Sequence, residues 1–259
     1  MPNWFYQIAH AITASRGDSV RDSVAQCGGH CTWAFSQCEP PVVTQILQTA
    51  DTQIGVCEAL AAHWILYHAN DRALPDLLFP GGQLDLARLF KVMTMHTGGI
   101  RATSQDAFTT SWLKERGILE RKGSACYNPS RKFGDQFVEY RGSAPSASTE
   151  GATGWFSVNA FLDDLLKNTT RARDGGRTAG AYYKISFQGM LGAHAMAAWV
   201  AEDLVFLDPN FGEFWFAKPT NFAQWFGYEF WTRSLYFAGL SGQYWLIPYA
   251  KAMPFALRA

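Results

Sequence analysis

The chain has 259 residues, 48% of them hydrophobic and only 17% charged, with 22 Lys or Arg against 22 Asp or Glu. That length and composition suit one large domain with a sizeable core, and zero net charge without a Lys/Arg run argues against a nucleic-acid binder. No apolar run approaches the roughly eighteen residues of a spanning helix, and no basic stretch precedes the first apolar segment as in a cleaved signal peptide.

In chain order, residues 1–45 mix short apolar pieces with Gly, Ser and "CEPP", and read as a separate N-terminal extension for delivery or targeting; residues 46–259 read as the main domain. The cysteines are Cys27, Cys31, Cys38, Cys57 and Cys126. An odd, uneven set argues against a disulfide framework and for a reducing compartment. Cys27, His30, Cys31 and Cys38 invite a zinc reading, but they are not paired CxxC ligands and no second pair follows. No metal or cofactor is expected.

"GVCEALAAHWILYHAN" (55–70) is apolar almost all round and rich in helix formers, so it predicts a helix buried on most faces. Further helices fit 84–96, about 104–119 and 157–168. "RGSAPSASTEGATG" (141–154) reads as a loop. The character then changes. Runs at 181–188, 194–200, 204–208 and 244–249 are β-branched or aromatic and separated by turns. Helices first and strands later predict an α+β domain with an antiparallel sheet. From Phe206 to Tyr249 the aromatic residues read mainly as a thick core with a helix over 220–232, and alternatively as the lining of an apolar groove.

Two strands carry ionisable residues at their ends: His194 opens one and Asp208 closes the next. A reversal centred near Ala201 sets them opposite each other; one centred on Glu202–Asp203 offsets them by about three residues. Either way they are neighbours, as an imidazole and the carboxylate that orients it must be. A nucleophile is then required. Cys57 lies where the buried helix begins, and the positive end of a helix favours a thiolate. The helix's own histidines cannot serve it: His63 is roughly 600° around the axis and His68 about 16 Å along it. His194 is 137 residues downstream, within the ~130–150 residue gap of papain-like proteases.

"GVCEALAAHW" (55–64), "GAHAMAAWV" (192–200) and above all "FLDPNFGEFWF" (206–216) resemble the three motif blocks of the YopT/AvrPphB family of bacterial effector cysteine peptidases. The resemblance covers roughly residues 50–250. It implies a papain-like fold with the nucleophile on the N-terminus of a buried central helix, and a triad of Cys57, His194 and Asp208. It also implies cleavage of a host protein in the host cytosol after delivery by a dedicated bacterial secretion system. Family targets include prenylated Rho GTPases and plant kinases, so a small GTPase or kinase is the expected class of partner. Some members cut themselves and expose a glycine that the host acylates. "GGHCT" (28–32) would fit that pattern if cleavage fell after Cys27, with Cys31 open to a second lipid and hence to membrane association.

On this reading His194 takes the Cys57 proton, the thiolate attacks the scissile carbonyl, and Asp208 holds the imidazole. The Cys57 backbone N–H is one oxyanion donor. The second is open, because Asp51 stands where papain-like enzymes place a glutamine; Gln53 is the weak choice and Thr52 another. Pro209 and Gly212 read as a turn that Asn210 caps, Glu213 as a locally satisfied carboxylate, and Trp199 and Phe211 as core or shielding. The alternatives are deamidation or acyl transfer on the same triad, or a non-catalytic binding module with a relic site.

Overall fold

The computed structural model of the chain describes residues 3–120, 158–159, 161–166, 180–190 and 192–252, with short pieces at 132–133, 136–137, 141–143, 173–174 and 177–178. Cys126 and most of the loop expected over 141–154 lie outside the described residues. Of the helix expected over 157–168, residues 158–159 and 161–166 are described, and all are helical.

The principal elements are α1 (Asn3–Ala14), β1 (Gly29–Trp33), α2 (Cys57–His68), α3 (Leu86–Arg101), α4 (Gln105–Lys114), β2 (Ile118–Glu120), β3 (Ala181–Gly189), β4 (Gly192–Val200), β5 (Leu204–Asp208), β6 (Gly212–Phe216), α5 (Pro219–Trp225) and β7 (Gln243–Lys251). The strands form an antiparallel sheet in the order β1-β6-β5-β4-β3-β7-β2, and a short piece at Arg141–Ser143 shares the outer edge of β7. The fold is α+β, as helices first and strands later predict.

Each face of the sheet has its own core. On one, Phe206 packs against Phe222, Trp225, Phe226 and Phe230, so the aromatic stretch is largely core. The expected helix over 220–232 runs without a break from α5 through a π-helical stretch at Phe226–Phe230 to Trp231–Arg233. On the other face lies α2, in which Ala59 to Ile65 are all buried. A helix covered by sheet, α3 and α4 together needs no polar stripe.

Of the first 45 residues, the described ones from Tyr6 on differ from their expectation, being packed into the same body. Val20 and Val24 join the aromatic core, Phe35 and Val42 the core around α2, and β1 pairs with β6, Gly29 opposite Phe216. A Cβ on Gly29 would lie 2.4 Å from the Phe216 ring, so the strand can close up only on glycine. In sequence these short pieces read as a separate extension because their partners lie nearly two hundred residues away. β6 was hidden for a related reason: the turn after Asp208 is real but short, and the chain resumes pairing at Gly212.

Candidate active site

Gly55 adopts φ +111°, accessible to glycine alone, and turns the chain into α2 with Cys57 as its first residue. There the N–H groups have no partner within the helix. Buried Glu58, next along, reaches Lys184 Nζ on β3 at 2.5 Å, and Lys184 also contacts Asp106. This buried ion cluster ties the start of α2 to the sheet and to α4. Burial pulls the Lys184 ammonium toward neutrality, and the neighbouring charges, Glu58 first, hold it charged.

The strand register decides whether the other two residues meet. Leu204 pairs with Val200 and Leu207 with Ala197, so Asp208 comes opposite Met196, two residues from His194 and on the same face. An offset of three would have put the two side chains on opposite faces. His194 Nε2 lies 3.0 Å from Asp208 Oδ1, with His194 6% and Asp208 0% exposed. The Asn210 backbone N–H also donates to Asp208 Oδ1 at 2.7 Å. Burial alone would strip the imidazole of its proton; the Asp208 carboxylate outweighs that, with Cys57 adding to it, and pushes the His194 pKa up to about 10. Since Nε2 is occupied by Asp208, Nδ1 is the nitrogen left for the thiol. Cys57 Sγ also accepts the Ala195 N–H at 3.5 Å.

Two cavities of about 420 and 540 Å³ meet at Cys57, Ala193 and His194. The first is walled by α1 and by Leu235, Tyr236 and Leu240; the second by Glu58, His96, Asp106, Ser186 and Trp245. Together they make a groove at the thiol.

Gln53 does not line either cavity; its carbonyl accepts from His10 Nε2 at 3.0 Å. The Thr52 hydroxyl donates to Ile46 O at 2.7 Å, and Asp51 is paired with Arg101. Glu213 accepts from Trp64 Nε1 and Thr32 Oγ1, Phe211 is fully buried, and Trp199 packs on Tyr182, so all three have structural contacts. His63 Nδ1 is spent on Ala59 O and His68 Nδ1 on the Tyr182 hydroxyl. The cysteines and His30 of the 27–38 stretch are not gathered; among the described residues no three His, Cys, Asp or Glu side chains converge as a metal needs. Two residues at the site gave no signal in the sequence: Gln37 and Tyr236, both buried beside Asn210. Nothing local marks either one, and only their distant partners reveal them.

A family model described as Yersinia/Haemophilus virulence surface antigen, Peptidase C58, matches residues 21–244. The cysteine protease YopT of Yersinia enterocolitica is 34% identical over 237 residues, covering 89% of this chain and 67% of that protein. A protein adenylyltransferase and cysteine protease, IbpA, of Histophilus somni is 31% identical over 86% of this chain but only 5% of its own length. Among solved structures, the YopT domain of the Pasteurella multocida PfhB2 toxin matches with TM-score 0.34 at 28% identity, covering 84% of this chain and 92% of that one. The Pseudomonas avirulence protein AvrPphB matches with TM-score 0.48 at 14% identity, covering 75% and 91%.

Proposed function

The chain belongs to the Peptidase C58 family of YopT-like cysteine proteases, which are virulence effectors, and from that premise we propose that Cys57, His194 and Asp208 are its catalytic triad. The observation that carries this is the buried His194–Asp208 contact at 3.0 Å, set beside a cysteine that opens a helix. The imidazole held protonated by Asp208 pairs with the Cys57 thiolate. The thiolate attacks the scissile carbonyl, His194 gives its proton to the leaving amine, and water, deprotonated by His194, hydrolyses the thioester. The Cys57 N–H stabilises the oxyanion. Gln53, the second donor proposed from sequence, would need its side chain to turn into the groove.

The proposed substrate is a host protein, a small GTPase or a kinase, met in the host cytosol after export by a dedicated secretion system. No described helix is long and apolar enough to cross a membrane. The proposed route to a membrane is lipidation of the N-terminal segment, whose Gly28 turn and Gly29 packing already have structural reasons. Residues 1–45, though part of the fold, keep delivery or targeting as their proposed second role. The test is a comparison of new protein N-termini in host lysate treated with wild type or Cys57→Ala. Cuts made only by wild type support the reading, and identical profiles reject it. A mass gain of about one dalton on a glutamine, without a cut, would select deamidation instead.

A further inference from the structure

Asp208 is held by more than His194. The Tyr236 hydroxyl donates to it, 3.1 Å from Oδ2 and 3.3 Å from Oδ1, and the Tyr236 ring lies 5.2 Å from the His194 ring. Behind it runs a chain of buried amides. Asn210 Nδ2 donates to the Tyr236 hydroxyl at 2.8 Å, Gln37 Nε2 donates to Asn210 Oδ1 at 2.8 Å, and the Val56 N–H donates to Gln37 Oε1 at 2.7 Å. Val56 precedes Cys57.

The direction of this chain is fixed at both ends. A backbone N–H can only donate, and a carboxylate facing an imidazolium can only accept. Every link between them, including both amide orientations, is therefore determined. Burial keeps the Tyr236 hydroxyl protonated, with the Asp208 charge adding to it. The placement of Tyr236 also carries a cost. Leu235, just before it, sits at φ +64°, a left-handed conformation that a leucine adopts at about 1–2 kcal/mol.

We propose that Gln37, Asn210 and Tyr236 form a one-way hydrogen-bond relay from the nucleophile's turn to Asp208, and that they are positioning residues for the His194–Asp208 pair. The relay does two things. It fixes the Asp208 carboxylate in the plane His194 needs, and it draws electron density from that carboxylate, moderating how tightly His194 holds its proton. Successive donors polarise one another, so the far end at Gln37 influences His194 chiefly through the Tyr236 hydroxyl, with the Asn210 backbone N–H as a second, direct donor to Asp208. The proposal rests on the triad reading, but its test does not use proteolysis.

The experiment is a titration of His194 by NMR in protein with labelled histidine rings, in a Cys57→Ala background that removes the thiol. Tyr236→Phe should raise the His194 titration by about half a pH unit, because Asp208 loses a donor. Gln37→Met should move it the same way by a smaller step. In the double variant the Gln37→Met step should shrink, since with the hydroxyl gone only the Asn210 backbone N–H still links the amides to Asp208. An unmoved or lowered His194 titration in a folded Tyr236→Phe protein overturns the relay. So does a Gln37→Met step that is undiminished without the Tyr236 hydroxyl. If Gln37→Met does not fold, the Tyr236→Phe titration alone decides. Proteolysis by Cys57→Ala would reject the triad separately, whatever the titration shows.

Discussion

His194, on the strand packed against α2, and His63, within α2, are both buried, 6% and 8% exposed, yet they are driven to opposite charge states. His63 spends Nδ1 on the Ala59 carbonyl and rests on the Trp112 ring. Burial, with nearby Arg116 acting in the same sense, outweighs the bond to the Ala59 carbonyl and brings its pKa down to about 4. His194 pays the same desolvation, but Asp208 reverses the outcome and pushes it up to about 10. Burial sets the cost of charge, and the partner decides whether it is met. The first histidine is packing. The second is a proton carrier beside a thiol.

Substitution tests that contrast most directly. His194→Ala should lower proteolytic turnover by about 10³-fold or more, as should Cys57→Ala, and the two together should be no worse than either, because they act as one unit. Asp208→Ala should follow with a smaller loss. His63→Ala should leave turnover within about threefold and show instead as lost stability of about 1–3 kcal/mol. The measurement is cleavage of whichever host protein the N-terminal comparison identifies, beside a melting curve for each variant. Full turnover in His194→Ala would break the contrast at its root.

The cysteines repeat the contrast at smaller amplitude. Cys57 is half-buried beside the His194 imidazolium. Cys38 is buried near Asn210 and Asp208, and burial first, then the Asp208 charge, pushes its thiol far up. Iodoacetamide at pH 6 should therefore label Cys57 at least about tenfold faster than Cys38. Peptide mass mapping over time gives the two rates. Equal rates would mean that the imidazolium does not act on the Cys57 sulfur.

What the sequence disclosed and what it hid divide along the same physical line. α2 was legible because an apolar run with a single β-branched residue, Ile65, and Gly before it is helical by local preference alone. His194 and Asp208 were legible because strands in a tight meander are neighbours in sequence as well as in space; even so, the register that puts them on one face was not fixed by the turn residues. Gln37, Tyr236 and β1 were not legible, since each is defined by partners about 170–190 residues distant or by a strained turn. Lys184 is similar. Within "AYYKISFQ" it looks like an interruption, and only Glu58 and Asp106, brought from two helices, make a buried ammonium tolerable.

The weakest effect expected is also the one that separates the two histidines without any substrate: stability against pH. The folded His63 pKa lies near 4, below the ordinary ~6.5 of an unfolded histidine. Between those values the unfolded chain binds more protons, so stability falls as pH drops from about 6.5 toward 4. His10, His68 and His96 are lowered by burial in the same sense. For His194 the order is reversed. Its folded pKa near 10 lies above the unfolded value, so its contribution is complete below about 6.5 and is lost as pH rises toward 10. Urea titrations from pH 4 to 10 should therefore trace a dome. His63→Phe should flatten the acid side by at most about 3 kcal/mol, and only in part, because three other histidines remain. Asp208→Asn should lower the neutral plateau and flatten the alkaline side, since without the carboxylate nothing offsets the desolvation of His194. An alkaline slope unchanged in Asp208→Asn would show that His194 does not owe its charge to that partner.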